Sequence, residues 1–176
     1  MPGLLPHIDP DGLLEFSVVY TDRALNHMSK RFQGVMTDIG RMLKQVYGAH
    51  SVALVPGSGT FGMESVARQF ASGQHALVLR NGWFSYRWTQ IFEMGGIVKS
   101  HTVLKARRLQ EQSESAWVPC PIEEVQATIA REKPAVVFAP HVETAAGMML
   151  PDEYLKAVAD AVHAVGGLFV LDCIAS

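Results

Sequence analysis

The apolar residues of this chain fall into two alternating rhythms. Short apolar runs occur at 52–55, 76–79, 135–139 and 168–171, and 97–104 has a similar character. Runs of this length, rich in Val, Leu and Ile, predict strands buried on both faces. Between them, apolar positions recur at helical spacing, as at Val35, Ile39, Met42, Leu43 and Val46, or at Leu155, Val158, Ala159 and Val162. The spacing predicts helices over 33–47, 60–72, 84–94, 122–131 and 152–165. Gly48, Gly73, Gly95-Gly96 and Gly166-Gly167 punctuate their ends. Residues 1–20 carry Pro and Gly without a period and read as an extended arm. Residues 105–121 are polar and irregular and read as a surface excursion.

Strands that alternate with helices predict an α/β fold, a mostly parallel sheet covered by helices on both faces. In such sheets ligands bind beyond the carboxyl ends of the strands. That rule gathers four segments: Gly57-Ser58-Gly59-Thr60, Asn81 to Phe84, His141 to Thr144, and Asp172. The first is a glycine turn between a strand-like run and a helix start. A helix start leaves free N–H groups and partial positive charge, and glycine lets the backbone approach an anion. With hydroxyls at Ser58 and Thr60, it reads as a phosphate site, the alternative being a plain turn. Gly57, Gly59 and Gly62 also match the dinucleotide fingerprint G-x-G-x-x-G. Arg80 stands where that fingerprint expects an acid, and an arginine there serves a 2′-phosphate, so an NADP-binding Rossmann module remains open. Phe84 is either a ring that stacks on an aromatic cofactor or a core aromatic. Asp172 follows four apolar strand residues, and a carboxylate so placed needs a partner. A protonated ring nitrogen is one; a helix cap or a salt bridge is another. His141 is a general base or a structural residue.

Composition narrows the function classes. The 176 residues suffice for one sizeable core. A net charge of −2 offers no electrostatic footprint for nucleic acid. No apolar run reaches membrane-spanning length, and the N-terminus lacks the basic and apolar regions of a signal peptide. Cys120 and Cys173 read as reduced thiols of a cytoplasmic protein. No His, Cys, Asp and Glu set has metal-ligand spacing, and no G-x-S-x-G elbow is present.

The motifs, taken in order, resemble a known family. They are His27-Met28-Ser29-Lys30-Arg31-Phe32, Pro56-Gly57-Ser58-Gly59-Thr60, Asn81-Gly82-Trp83-Phe84-Ser85-Tyr86-Arg87-Trp88, His141-Val142-Glu143-Thr144-Ala145-Ala146-Gly147 and Leu171-Asp172-Cys173-Ile174-Ala175-Ser176. Together they resemble the first part of a class V, fold-type I, pyridoxal-phosphate-dependent aminotransferase of the alanine–glyoxylate or serine–pyruvate kind. The resemblance implies a truncated large domain. Residues 1–25 would be an arm, residues 26–176 an incomplete cofactor domain, and the small C-terminal domain would be absent. It implies that Ser58, Gly59 and Thr60 bind the cofactor phosphate, that Phe84 stacks on the pyridine ring and that Ile174 packs on its other face. Thr144 would lie near the ring 3-hydroxyl. Asp172 would pair with the pyridinium nitrogen and so take a catalytic part. The family's Schiff-base lysine lies after the aspartate, and no lysine follows Asp172 here. The expectation is therefore that the full-length parent transaminates between a small amino acid and a 2-oxo acid, while this chain alone is inactive. A homodimer, or association with the remainder of the enzyme, is expected. A lyase or desulfurase of the same cofactor and fold is the nearest alternative.

Overall fold

The apolar runs become strands whose side chains divide between two faces. The structure is a computed structural model that describes residues 27–28, 30–112 and 114–176. The chain forms two compact units, Met1–Val55 and Pro56–Ser176. The expected arm, residues 1–25, lies outside the described residues. In the first unit, α1 (Lys30–Tyr47) follows the predicted apolar stripe and ends at Gly48, whose φ is 57°. None of its residues is buried.

The strand expected at 52–55 does not form. The run is apolar, but none of the described strands pairs with it, and a strand without a neighbour has no ladder of hydrogen bonds to hold it. Leu54 and Val55 are exposed.

The second unit runs α2 (Gly59–Ala71), β1 (His75–Arg80), α3 (Trp83–Gly95), β2 (Ser100–Lys105), β3 (Arg107–Arg108), β4 (Trp117–Val118), α4 (Ile122–Glu132), β5 (Val136–Pro140), β6 (Val142–Glu143), β7 (Met148–Met149), α5 (Asp152–Ala164) and β8 (Leu168–Asp172). Four strands form a parallel sheet in the order β2-β1-β5-β8. From β1 the chain steps outward to β2, then returns past β1 to β5 and on to β8. The direction of winding therefore reverses between β1 and β5. Right-handed crossovers in opposite directions put their helices on opposite faces.

The cores follow from that topology. Ala76 and Val78 of β1, with Val136 and Phe138 of β5, face α2 and α3. There Trp88 and Phe92 pack on Phe138, with ring centroids 4.5 and 5.2 Å away. Leu77, Leu79, Val137 and Ala139 face the other way, onto Val125 and Ile129 of α4 and Val158 and Val162 of α5. Two-sided burial explains why these strands read as unbroken apolar runs.

Three differences from the sequence reading concern short elements. The strand at 97–104 starts only at Ser100, because Ile97 follows the left-handed cap at Gly96 and tucks into the first core. The polar tract 105–121 contains an antiparallel ribbon of β3 and β4. A second ribbon, β6 with β7, follows β5. Pairs of two residues are too short for periodicity to register. No helix among the described residues is long and apolar enough to cross a membrane.

At the amino-terminal edge of the sheet, Glu132 at the end of α4 ties two strand starts together. It accepts a hydrogen bond from Thr102 at 2.7 Å and lies 3.2 Å from Nε2 of His75. The Thr102 hydroxyl, then Arg131 and His75, hold its carboxyl below the usual glutamate value of 4.5. A carboxyl with a depressed folded-state value adds stability that is complete above 4.5 and is lost as pH falls through the folded value. Glu132→Gln is therefore expected to lower stability at neutral pH and to flatten its decline below pH 4.5, read by urea denaturation across that range.

Candidate functional site

The turn before α2 is built for close approach. Gly57 has φ 142°, a region that side chains rarely enter, and a Cβ there would lie 2.7 Å from the Phe61 ring. Ser58 occupies the N-cap position, yet its hydroxyl makes no capping bond. Its carbonyl accepts from the amides of Phe61 and Gly62. The amides of Gly59 and Thr60 are left without an intrahelical acceptor, as the first turn of any helix requires. A Cβ on Gly59 would meet Ile174 at 2.5 Å, so the bare backbone is what allows the segment after β8 to come alongside α2.

That approach closes one side of a crevice of about 400 Å³. Gly59 and Thr60 line it from α2, Phe84 and Arg87 from α3, and Asp172 and Ile174 from the end of β8. Five of the residues singled out in the sequence thus share one cavity. Phe84 is 49 % exposed and Ile174 is 73 % exposed, so both apolar groups are open to a ligand. Asp172 is half-buried; its Oδ1 accepts from the amide of Ile174 at 3.1 Å. Trp88 also lines the crevice, and its indole N–H is buried without a partner among the described residues.

Ser58 is exposed at the mouth of the turn and is not one of the lining residues. Thr144 is exposed in the turn between β6 and β7 and does not line the crevice. His141 serves through its backbone, donating to the Asp172 carbonyl at 2.8 Å and accepting from the Leu150 amide. Arg80 turns away from the crevice and lies over the Tyr86 ring, 4.9 Å from its centroid. Arg87 stands three residues after Phe84 on α3. It lines the crevice beside Thr60 and has no carboxylate partner among the described residues.

The group that sets this geometry is Glu143, which is fully buried. Its Oε1 accepts from the amide of Phe84 at 3.1 Å. Its Oε2 accepts from the amide and the hydroxyl of Ser85, at 2.9 and 2.7 Å. A carboxyl group thereby satisfies free donors of the first turn of α3, where the helix dipole also favours it. Ser85 in turn accepts from the amides of Asn81 and Gly82 at 2.8 and 3.1 Å. Gly82 is extended, with φ 178°, a value open to any residue. It is glycine for space: a Cβ would sit 2.7 Å from the Glu143 carboxyl.

Burial pushes the Cys120 thiol up to about 11. Cys173 is partly exposed and lines the crevice.

No protein-family profile matches this chain, and no curated protein matches it. Solved structures do. The chain is similar to ureidoglycine-glyoxylate aminotransferase from Bacillus subtilis, with a TM-score of 0.71 and 21% identity, over 100% of this chain and 42% of that one. It is similar to alanine–glyoxylate aminotransferase from Nostoc sp., with a TM-score of 0.69 and 20% identity, over 99% and 42%. An aspartate aminotransferase from Thermus thermophilus matches at 0.67 and 26% identity, over 86% and 40%. The fold is that of the class V pyridoxal-phosphate aminotransferases, and the chain spans about two-fifths of the length of the structures it matches.

Removing Glu143 leaves the amides of Phe84 and Ser85 without their acceptor, at roughly 1–3 kcal/mol each, while the Ser85 hydroxyl keeps the Gly82 carbonyl at 3.3 Å. Glu143→Ala is expected to lower unfolding stability by about 3 kcal/mol, and Glu143→Gln by about half of that, because one amide hydrogen-bond donor then faces another. Gly82→Ala should destabilise as well, since the new methyl displaces the same carboxyl. Urea denaturation of the three variants measures all of this.

Proposed function

We propose that the crevice holds pyridoxal 5′-phosphate and that residues 26–176 are the cofactor-binding part of an aminotransferase acting between a small amino acid and a 2-oxo acid. The observation that carries this reading is the convergence of Thr60, Phe84, Asp172 and Ile174 on one cavity from three separate elements. The residues present fit the group. Free amides at the start of α2, the uncommitted Ser58 hydroxyl and the Arg87 guanidinium suit a phosphate. Phe84 and Ile174 offer apolar surfaces for a planar ring. Asp172 has one backbone donor and keeps carboxylate capacity for a cationic ring nitrogen. When bound, the cofactor supplies an electron sink for carbanion character at the substrate carbon.

The work of this chain's own residues is binding and orientation. The α2 turn holds the phosphate end. Phe84 and Ile174 keep the ring flat between them and exclude water from its faces. Asp172 holds a proton at the ring nitrogen. Thr144, by resemblance, reaches the ring 3-hydroxyl from its turn. The reaction also needs an amine that moves a proton at the substrate carbon. None of the described crevice-lining residues is a lysine. We therefore assign no turnover to this chain alone.

The same reading assigns residues 1–25 to an arm and makes a second copy of the chain the partner across the site. It places the protein in the cytoplasm, consistent with two free cysteines. A lyase or desulfurase would use the same crevice. The NADP reading is disfavoured because Arg80, its 2′-phosphate ligand, points away from the start of α2.

Titration with pyridoxal phosphate should give a saturable change in cofactor absorbance, with no amino transfer by the chain alone. Asp172→Ala, and Ser58→Ala with Thr60→Ala, should each weaken binding about tenfold or more, the equivalent of one lost charge-assisted contact. Bound cofactor should also protect Cys173 from alkylation, while buried Cys120 stays slow in both states. Saturable NADPH binding without any response to pyridoxal phosphate would overturn the proposal.

A further inference from the structure

Helix α3 lines more than one cavity. Phe84 and Arg87 look into the cofactor crevice, whereas Trp83 and Tyr86 line a second cavity of about 710 Å³. Among the described residues the two have no lining residue in common. The volume of the second is in the range of small-molecule sites, about 300–1,000 Å³.

Its charges are arranged for an anion. Arg80 and Lys105 end β1 and β2 and stand opposite one another in the parallel register, so their side chains leave the same face of the sheet. Neither has a carboxylate partner among the described residues. Nearby Arg107 is paired with Glu124, and Arg108 lies over the Trp117 ring, 5.5 Å from its centroid. Two adjacent cations without a counter-charge repel one another, and an anion between them removes that cost. Asn81 adds a neutral donor. It is 5 % exposed, lines the cavity, and its amide nitrogen is buried with no hydrogen-bond partner among the described residues. A buried donor left unpaired by the protein is costly unless a ligand takes it.

The walls are aromatic. Trp83 and Trp117 are 58 % and 45 % exposed, and Trp83 and Tyr86 are tilted against each other with centroids 5.8 Å apart. Trp117 is delivered by the β3–β4 ribbon within an otherwise polar tract. Partly exposed indoles beside two adjacent cations suit a flat, apolar body that ends in a negative group.

We propose that this cavity binds a small aromatic monocarboxylate, as a site separate from the cofactor crevice. The carboxylate lies between Arg80 and Lys105 within reach of Asn81, and the ring lies against Trp83, Tyr86 and Trp117.

The test is a titration of the isotope-labelled full chain with benzoate, followed through the three tryptophan indole N–H signals. Trp83 and Trp117 should shift saturably, and Trp88, which belongs to the other crevice, should shift far less. Lys105→Ala, Arg80→Ala and Trp117→Ala should each weaken benzoate at least fivefold, with signal dispersion showing that each variant is folded. Cyclohexanecarboxylate, which keeps the charge without the flat ring, and inorganic phosphate, which has the charge alone, should both bind more weakly. Saturating pyridoxal phosphate should leave benzoate binding unchanged. The proposal is overturned by the absence of saturable shifts, by phosphate binding as well as benzoate, by full affinity in the three variants, or by displacement with pyridoxal phosphate. A chain that binds benzoate but gives no spectral response to pyridoxal phosphate would keep this site and lose the cofactor reading.

Discussion

The site depends on one buried carboxyl. Glu143 leaves the sheet just after β5 and meets the first turn of α3, which follows β1. Those two strands flank the point where the winding direction reverses. Strand ends diverge at such a point and open a gap, which is why ligands collect there. Here Glu143 spans the gap with three hydrogen bonds, and Ser85 extends the link to the backbone of Asn81 and Gly82. A helix start, a strand end and a following turn become one rigid piece. Phe84 projects from that piece, so its direction is set by hydrogen bonds to its own amide and its neighbour's. Rigid support of this kind is what a binding residue on a helix end needs.

The parts legible in the sequence were those governed by local period. The central strands β1 and β5 are buried on both faces, so their apolar runs stand out against the polar faces of the helices; β2 and β8, at the edges, are only partly covered. Glycines at helix ends marked boundaries for a similar local reason. Asp172 stands out in the sequence because it ends an apolar strand run, and the glycine turn because a helix starts right after it; the run before that turn is not a strand. The run at 52–55 misled because apolar content is only half of a strand; the other half is a neighbour to bond with. Glu143 was visible as part of a motif, but its partners lie 58 and 59 residues earlier. No local pattern connects a glutamate to a helix start that far away. Gly82 looked like a turn glycine, whereas its backbone is extended and the requirement is room for the Glu143 carboxyl. Trp117 was hidden in a polar tract because one ribbon pair of two residues leaves no periodic trace.

The crevice is assembled from segments more than a hundred residues apart, and few contacts close it. Gly59 and Ile174 touch, and the amide of Ile174 binds Asp172, but Phe84 and Ile174 remain largely open. Apolar groups held open at a cavity are surface that a ligand covers. A ligand that binds the folded state alone raises its stability in proportion to the logarithm of ligand concentration over Kd. The segment after β8 gains most from that linkage. Its Ile174 side chain lies against Gly59 of α2.

Helix α3 is the one element common to both cavities. Consecutive residues at its start, Trp83 and Phe84, point into different ones. The two sites share no side chain, so a ligand in one has no direct contact with a ligand in the other. They do share the anchor of α3. A change at Asp172 acts on the crevice alone, and a change at Lys105 on the second cavity alone. A change at Glu143 moves the helix start, and with it one wall of each. The Glu143–Ser85 hydrogen bonds hold Trp83 and Phe84 in a single orientation, so they set one wall of each site without bringing the two ligands into contact.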